Sequence, residues 1–219
     1  MEMEFSVIDP NGPLSADVRD ELERIHNEAF QPEERHFSVG FFIKNNRQKG
    51  FELWIAKMKD VTIGYAFFQI IKRSRIAVFW YMAVDNKWRN RGLGREIIRR
   101  ILKDLKSRSI AIYYFILESR TPDNSESGSS FNRRRIAFYR SLGAYWIRNL
   151  DYTIASNTDP NASIRYELLF FAIGNEVESE GVNWALKDFA EIGYDNSDSR
   201  KAKFINSLEE MYIQPPLNE

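Results

Sequence analysis

Seven residues, Arg89-Asn90-Arg91-Gly92-Leu93-Gly94-Arg95, gather three guanidinium groups and two glycines into one turn. An apolar, strand-like run from Val78 to Val84 precedes the turn, and an amphipathic helical pattern over Leu93 to Leu105 follows it. Glycines at a helix start let backbone N–H groups approach an anion closely, and the helix dipole favours negative charge there. Arginines add planar donors suited to phosphate. The segment is therefore a candidate site for a phosphate-bearing ligand.

Two common phosphate loops do not fit. Nothing near Gly92 supplies the Gly-Lys-Ser/Thr of a P-loop, and the third glycine or alanine of a dinucleotide fingerprint would fall on Ile97. What is left is Arg-x-x-Gly-x-Gly after a strand, which resembles motif A of the GNAT superfamily of N-acetyltransferases. A second segment strengthens the resemblance. Asn132 opens a helical run in which Ile136, Tyr139 and Leu142 share a face, and Gly143 stands where a helix end wants a left-handed residue. This pattern, Asn followed by a helix ending in Phe-Tyr-x-x-Leu-Gly, is similar to the family's motif B.

The resemblance implies an acetyl-CoA-dependent N-acetyltransferase, and it implies roles residue by residue. The backbone of Met82, Ala83 and Val84 would pair with the pantetheine arm. The turn of Arg89, Asn90, Arg91, Gly92, Leu93, Gly94 and Arg95 would hold the pyrophosphate. Asn132 matches the motif B asparagine that contacts pantetheine, and Tyr139 the tyrosine that protonates the departing thiolate; read from periodicity alone, Tyr139 is a core aromatic of an amphipathic helix. Some family members carry a glutamate base on the strand before motif A, but Arg75 to Val84 contains no carboxylate. Glu118, at the end of the apolar run Ile110–Leu117, is the substitute, because a carboxylate at the edge of an apolar strand can have its pKa raised by desolvation. A surface acid or a water chain are the other readings. Glu33 and Glu34 lie where the family's helix-1 region borders the acceptor, and would bind a cationic amine unless they form a solvated helix start. Arg133-Arg134-Arg135 reads as a solvated face or a contact for the cofactor's 3′-phosphate.

The elements that must position these residues read as α/β. Strands are expected over Glu4–Ile8, Phe51–Met58, Ile63–Ile71, Arg75–Val84, Ile110–Leu117, Ala144–Leu150 and Ser163–Ile173. Asp9 to Pro13 reads as a turn, and Ser15 as the N-cap of a helix with Val18, Leu22, Ile25 and Ala29 on one face. A short helix is expected within His36–Lys44, and a loop over Thr121–Ser130. This order matches the GNAT plan, a mixed and mostly antiparallel sheet flanked by helices, over residues 4–173. The chain thus divides into a domain at 1–173 and a C-terminal helical extension at 174–219 packed on it, with helices over Val182–Ile192 and Ser199–Ile213. A dimer contact or a share in the acceptor pocket are further roles open to the extension.

Composition sets limits. The 31 basic and 31 acidic side chains balance, so no global charge points to nucleic acid or a membrane surface. The absence of cysteine excludes disulfides and thiolate chemistry, and 2 histidines offer little for a metal centre. No basic-then-apolar leader and no membrane-length apolar run is present, which makes a soluble cytoplasmic protein the default. The acceptor would be an amine of a small molecule, protein or peptide. A non-catalytic acyl-CoA sensor and a longer-chain acyltransferase are the competing functions.

Overall fold

Stretches rich in Phe, Tyr, Ile and Val supply most of the architecture. The computed structural model describes residues 4–7, 14–45, 49–122, 126–159, 161–174, 177–195 and 198–217. The antiparallel run β1 (Glu4–Val7), β2 (Phe51–Met58), β3 (Val61–Ile71) and β4 (Ile76–Val84) continues into β5 (Tyr114–Arg120), and β6 (Tyr145–Arg148), β7 (Thr153–Ala155), β8 (Ser163–Ala172) and β9 (Tyr212–Gln214) complete the sheet. Strand order is β1-β2-β3-β4-β5-β8-β6-β9, with β7 paired to β8. Among the described strands, β4 and β5 alone run parallel. A parallel pair needs a crossover, and helix α3 (Leu93–Ser107) provides it.

Side-chain alternation divides the molecule into three packed regions. One face of the sheet, with Trp54, Ala66, Phe68, Phe115, Leu117, Leu169 and Phe171, packs on α3 and on α4 (Glu126–Arg140) through Ile97, Ile101, Ile136 and Tyr139. The other face is shared. Leu53, Ile55, Tyr65, Phe67 and Tyr81 pack on α1 (Ala16–Ala29) and α2 (Val39–Asn45). Ile116, Tyr166, Leu168 and Phe170 pack on α5 (Ser179–Gly193) and α6 (Ser199–Ser207) through Leu186, Phe189 and Phe204. The fold is α/β, a mixed and mostly antiparallel sheet flanked by helices.

Several sequence expectations differ in their limits. The strand expected over Ile110–Leu117 begins at Tyr114 and continues through Glu118, Ser119 and Arg120, because β8 offers ladder partners to these polar residues as far as Arg120↔Tyr166. Glu118 is thus an internal strand residue. Helix α4 starts at Glu126, inside the segment read as a loop. The helix expected over Ser199–Ile213 ends at Ser207, and Tyr212–Gln214 becomes a strand on β6, a non-local pairing that local periodicity cannot signal. The turn expected at 9–13 and positions 123–125 lie outside the described residues. No helix among the described residues is long and apolar enough to cross a membrane.

Candidate functional site

The site begins where the sheet opens. β4 and β5 pair from Ile76↔Tyr114 to Phe79↔Leu117 and no further. At the same point the β3–β4 register shifts: Phe68 faces Phe79, but Phe67 faces Tyr81, so Trp80 is an inserted residue. Before the bulge, Ala77 and Phe79 face α3 and α4; after it, Met82 and Val84 do, while Tyr81 and Ala83 turn toward α1 and α2. Two cavities flank this opening.

The larger cavity, about 690 Å³, runs along Met82, Ala83 and Val84 to the arginine–glycine turn. Arg89, Asn90, Gly92, Leu93, Gly94 and Arg95 line it, as do Phe131, Arg134, Arg135, Phe138 and Tyr139 of α4. Gly92 precedes the first residue of α3 with φ of 77°, a left-handed conformation, and no atom lies within 4 Å of where a Cβ would sit. Its requirement for glycine is therefore conformational rather than one of space. Asp85 fixes the approach to the turn. Its carboxylate accepts from the Lys87 N–H at 2.8 Å and pairs with Arg24 of α1. Burial alone would raise the Asp85 carboxyl, but Arg24 and the Lys87 N–H hold it below its ordinary value. Arg89 donates to the Val84 carbonyl at 3.0 Å, and Arg95 to the Ser141 hydroxyl at 3.4 Å. Arg91 does not line the cavity; its guanidinium lies 5.0 Å from the Trp88 ring centre. Asn132 is buried and also takes no part in the lining.

The smaller cavity, about 50 Å³, is walled by Phe30, Phe79, Trp80, Tyr81, Met82 and Tyr166, with Glu34, Glu118, Arg135 and Tyr139 supplying polar atoms. Phe30, Met82, Arg135 and Tyr139 line both cavities, so these four residues form the junction. Glu118, half-buried, accepts a hydrogen bond from the Tyr152 hydroxyl at 2.6 Å. Burial raises its pKa, Tyr152 lowers it, Glu34 raises it and Arg135 lowers it, leaving the carboxyl pushed up to about 7. Burial also raises Tyr139 above the ordinary phenol value, opposed by Arg135 one helical turn earlier. Arg135 itself stacks on Phe131 at 5.0 Å and Phe30 at 6.0 Å. Glu34 is held by backbone: its carbonyl accepts from the Tyr81 hydroxyl at 2.8 Å, and that hydroxyl accepts from the His36 N–H at 2.9 Å. Glu33 is not in the lining; it pairs with Arg120 at 3.4 Å.

The structure thus brings Tyr139, Glu118, Glu34, the Met82–Val84 strand end and most of the turn to one opening, and leaves Glu33, Arg91 and Asn132 outside the lining. Sequence reasoning missed Tyr152 and Tyr166, read Trp80 and Tyr81 mainly as core aromatics, and read Arg135 as part of a solvated or phosphate-facing run. The extra residue at Trp80 and the pairing of distant strands select these side chains, and neither leaves a local pattern.

The geometry agrees with comparisons to known proteins. The model of the acetyltransferase (GNAT) family matches residues 16–144. A putative GNAT-family acetyltransferase from Bacteroides thetaiotaomicron superposes with a TM-score of 0.62 at 19% identity, covering 87% of this chain and 98% of that one. Arabidopsis thaliana NAA60, solved in complex with acetyl-CoA, superposes with a TM-score of 0.58 at 16% identity, covering 78% and 99%. The ribosomal-protein-S18-alanine N-acetyltransferase of Escherichia coli gives 0.55 at 19% identity, covering 81% and 97%. No curated protein matches the sequence. With the family match spanning more than half its length and the fold shared across these structures, the chain belongs to the GNAT family of N-acetyltransferases.

Proposed function

We propose that this chain transfers the acetyl group of acetyl-CoA to a primary amine of a small molecule or peptide, with Tyr139 as general acid and Glu118 as general base. The observation that carries this reading is that Tyr139 lines both cavities while Glu118 lines the smaller one. A donor and an acceptor entering from opposite sides would therefore meet between an acid and a base.

The larger cavity suits acetyl-CoA. Backbone groups of Met82–Val84 face it with no β5 partner, the left-handed Gly92 opens the start of α3, and Arg89, Arg95, Arg134 and Arg135 line it. These are the donors that an amide-bearing arm and a pyrophosphate require. Arg91 is assigned to the outer edge of the same phosphate site, and Asn132 to the pantetheine arm on the resemblance alone. Bound there, acetyl-CoA supplies a thioester carbonyl open to attack and a thiolate leaving group.

Glu118 takes the proton lost by the amine as the C–N bond forms, and Tyr139 gives its hydroxyl proton to sulfur as the C–S bond breaks. Return of the proton from Glu118 to Tyr139 through solvent resets the pair. A carboxyl with a pKa near 7 suits the base, and a phenol kept neutral suits the acid. Glu34 shares the small cavity and would attract a cationic amine, while Glu33 would act from outside it by holding Arg120. The cavity's size and its two carboxylates favour an acceptor with a slender, positively charged head.

Free-thiol release from acetyl-CoA should be measured across polyamines, amino acids, aminoglycosides and peptide N-termini. Tyr139→Phe should lower kcat by about a hundredfold on the best acceptor, with acetyl-CoA affinity little changed. Unchanged turnover in that variant would remove Tyr139 from the acid role.

A further inference from the structure

The residue that holds Glu118 is itself held by the C-terminal helices, beyond the region that the family model matches. Tyr152 lies in the short connection between β6 and β7 and is 1% exposed. Its ring sits 5.6 Å from Phe189 of α5, 5.6 Å from Phe204 of α6 and 6.0 Å from Tyr194, centre to centre. The backbone on either side is pinned by the same elements. The Asp151 N–H donates to the Ser207 hydroxyl at 2.9 Å, and the Tyr194 hydroxyl donates to the Thr153 carbonyl at 2.9 Å. The Tyr152 carbonyl accepts from the Tyr166 N–H of β8 at 2.9 Å. Three consecutive residues are therefore anchored, and the one hydroxyl they aim donates to Glu118 at 2.6 Å.

We propose that Tyr152 is a positioning residue through which α5 and α6 orient the Glu118 carboxylate on the acceptor cavity. The inference rests on the reading of Glu118 as the base. It gives α5 and α6 a role in the reaction, transmitted by one hydrogen bond. A buried tyrosine could have packed its ring and turned its hydroxyl to solvent; here both ends of the side chain are committed.

The bond has a signed consequence. A hydrogen bond donated to the carboxylate favours its ionised form. The other charged and titratable groups around Glu118 are Glu34 from the turn after α1, Tyr81 of β4, Arg135 and Tyr139 of α4, and Tyr166 of β8. None of them changes in Tyr152→Phe, which keeps the ring and removes the donor. Glu118 should then hold its proton to higher pH. The acid limb of kcat/KM should move up by about one pH unit, with activity about fivefold lower at pH 7, approaching tenfold lower at pH 6, and recovering above pH 9. Tyr194→Phe, which frees the Thr153 carbonyl but keeps the ring, should move the limb the same way by less.

The test pairs that pH profile with carbon-13 NMR titration of the Glu118 carboxyl in the full chain. Movement of both supports the proposal. Movement of the carboxyl titration without the kinetic limb also supports Tyr152 as the group that holds Glu118, and shows that the base reading is what failed. If Tyr152→Phe lowers the melting temperature yet moves neither, the hydrogen bond serves stability alone and the inference is overturned.

Discussion

Phe79 and Leu117 form the last pair between β4 and β5, and the inserted Trp80 follows at once on β4. One inserted residue thus stands where the pairing ends and shifts the alternation of faces along β4 by one position. Tyr81 is sent toward Glu34, and Met82 to the junction of the two cavities.

Deleting Trp80 should make Phe68↔Phe79 and Phe67↔Tyr81 successive pairs, keeping Tyr81 and Met82 on their present faces but removing the bulge that bends β4 where it parts from β5. Acetyl transfer should fall by roughly a hundredfold or more, since a small misplacement of reacting groups has that effect. Trp80→Phe keeps the residue count and should retain most activity. Equal activity in the deletion and the parent, measured by thiol release, would show that the bulge does not position the site.

At Gly92 the expected defect lies in the backbone. Gly92→Ala meets no atom within 4 Å but must hold φ near 77°. The left-handed conformation costs a non-glycine residue roughly 1–2 kcal/mol, so CoA affinity measured by calorimetry should weaken about tenfold. Asn tolerates this conformation better, and Gly92→Asn should lie between Gly92→Ala and the parent. Gly92→Val should be worse than both.

Glu118→Gln should lower kcat/KM by about a hundredfold or more and abolish the limb near pH 7, since a general base acts only when ionised. In the parent protein, kcat/KM should rise with pH through that value. A pH profile from 5 to 9 checks both statements.

His26 and Glu118 should oppose each other in the dependence of stability on pH. Burial, aided by Arg35, holds His26 down at about 4 from an ordinary 6.5. The unfolded chain therefore binds that proton first, and stability is lost as pH falls from about 6.5 to 4. Glu118 has the reverse sign: its folded pKa, about 7, exceeds the ordinary 4.5, so stability is lost as pH rises from about 4.5 to 7. Each contribution is on the order of 3 kcal/mol. Melting temperatures should change little across this window in the parent, fall with acid in Glu118→Gln, and rise with acid in His26→Gln. Identical profiles in all three proteins would contradict the assignment.

Local pattern carried a good deal of this structure. The spacing of Leu93, Ile97, Ile98, Ile101 and Leu105 reads directly as α3, because a helix must bury one stripe. Gly92 and Gly143 both adopt positive φ, where a side chain would strain the turn and the helix end. The nearly continuous apolar runs of β2 to β4, rich in aromatic and β-branched residues, read as a meander because hairpins join neighbours in sequence. Less legible were the limits of β5, whose last three residues are polar and are kept in the sheet only by β8. Strand β9 was hidden for the same reason, since its partner β6 lies more than sixty residues earlier.

By itself, the sequence determined a glycine turn at the start of a helix, the helix that carries Tyr139, and a layered α/β fold, because periodicity and backbone conformation are local properties. Only the tertiary structure decided which side chains share the smaller cavity. Glu118, Glu34, Tyr81, Tyr166 and Arg135 come from five separate segments of the chain, and Tyr152 reaches Glu118 from a sixth, the connection between β6 and β7. Their convergence depends on where β4 and β5 part and on what the C-terminal helices press against, and both are consequences of packing across long stretches of chain.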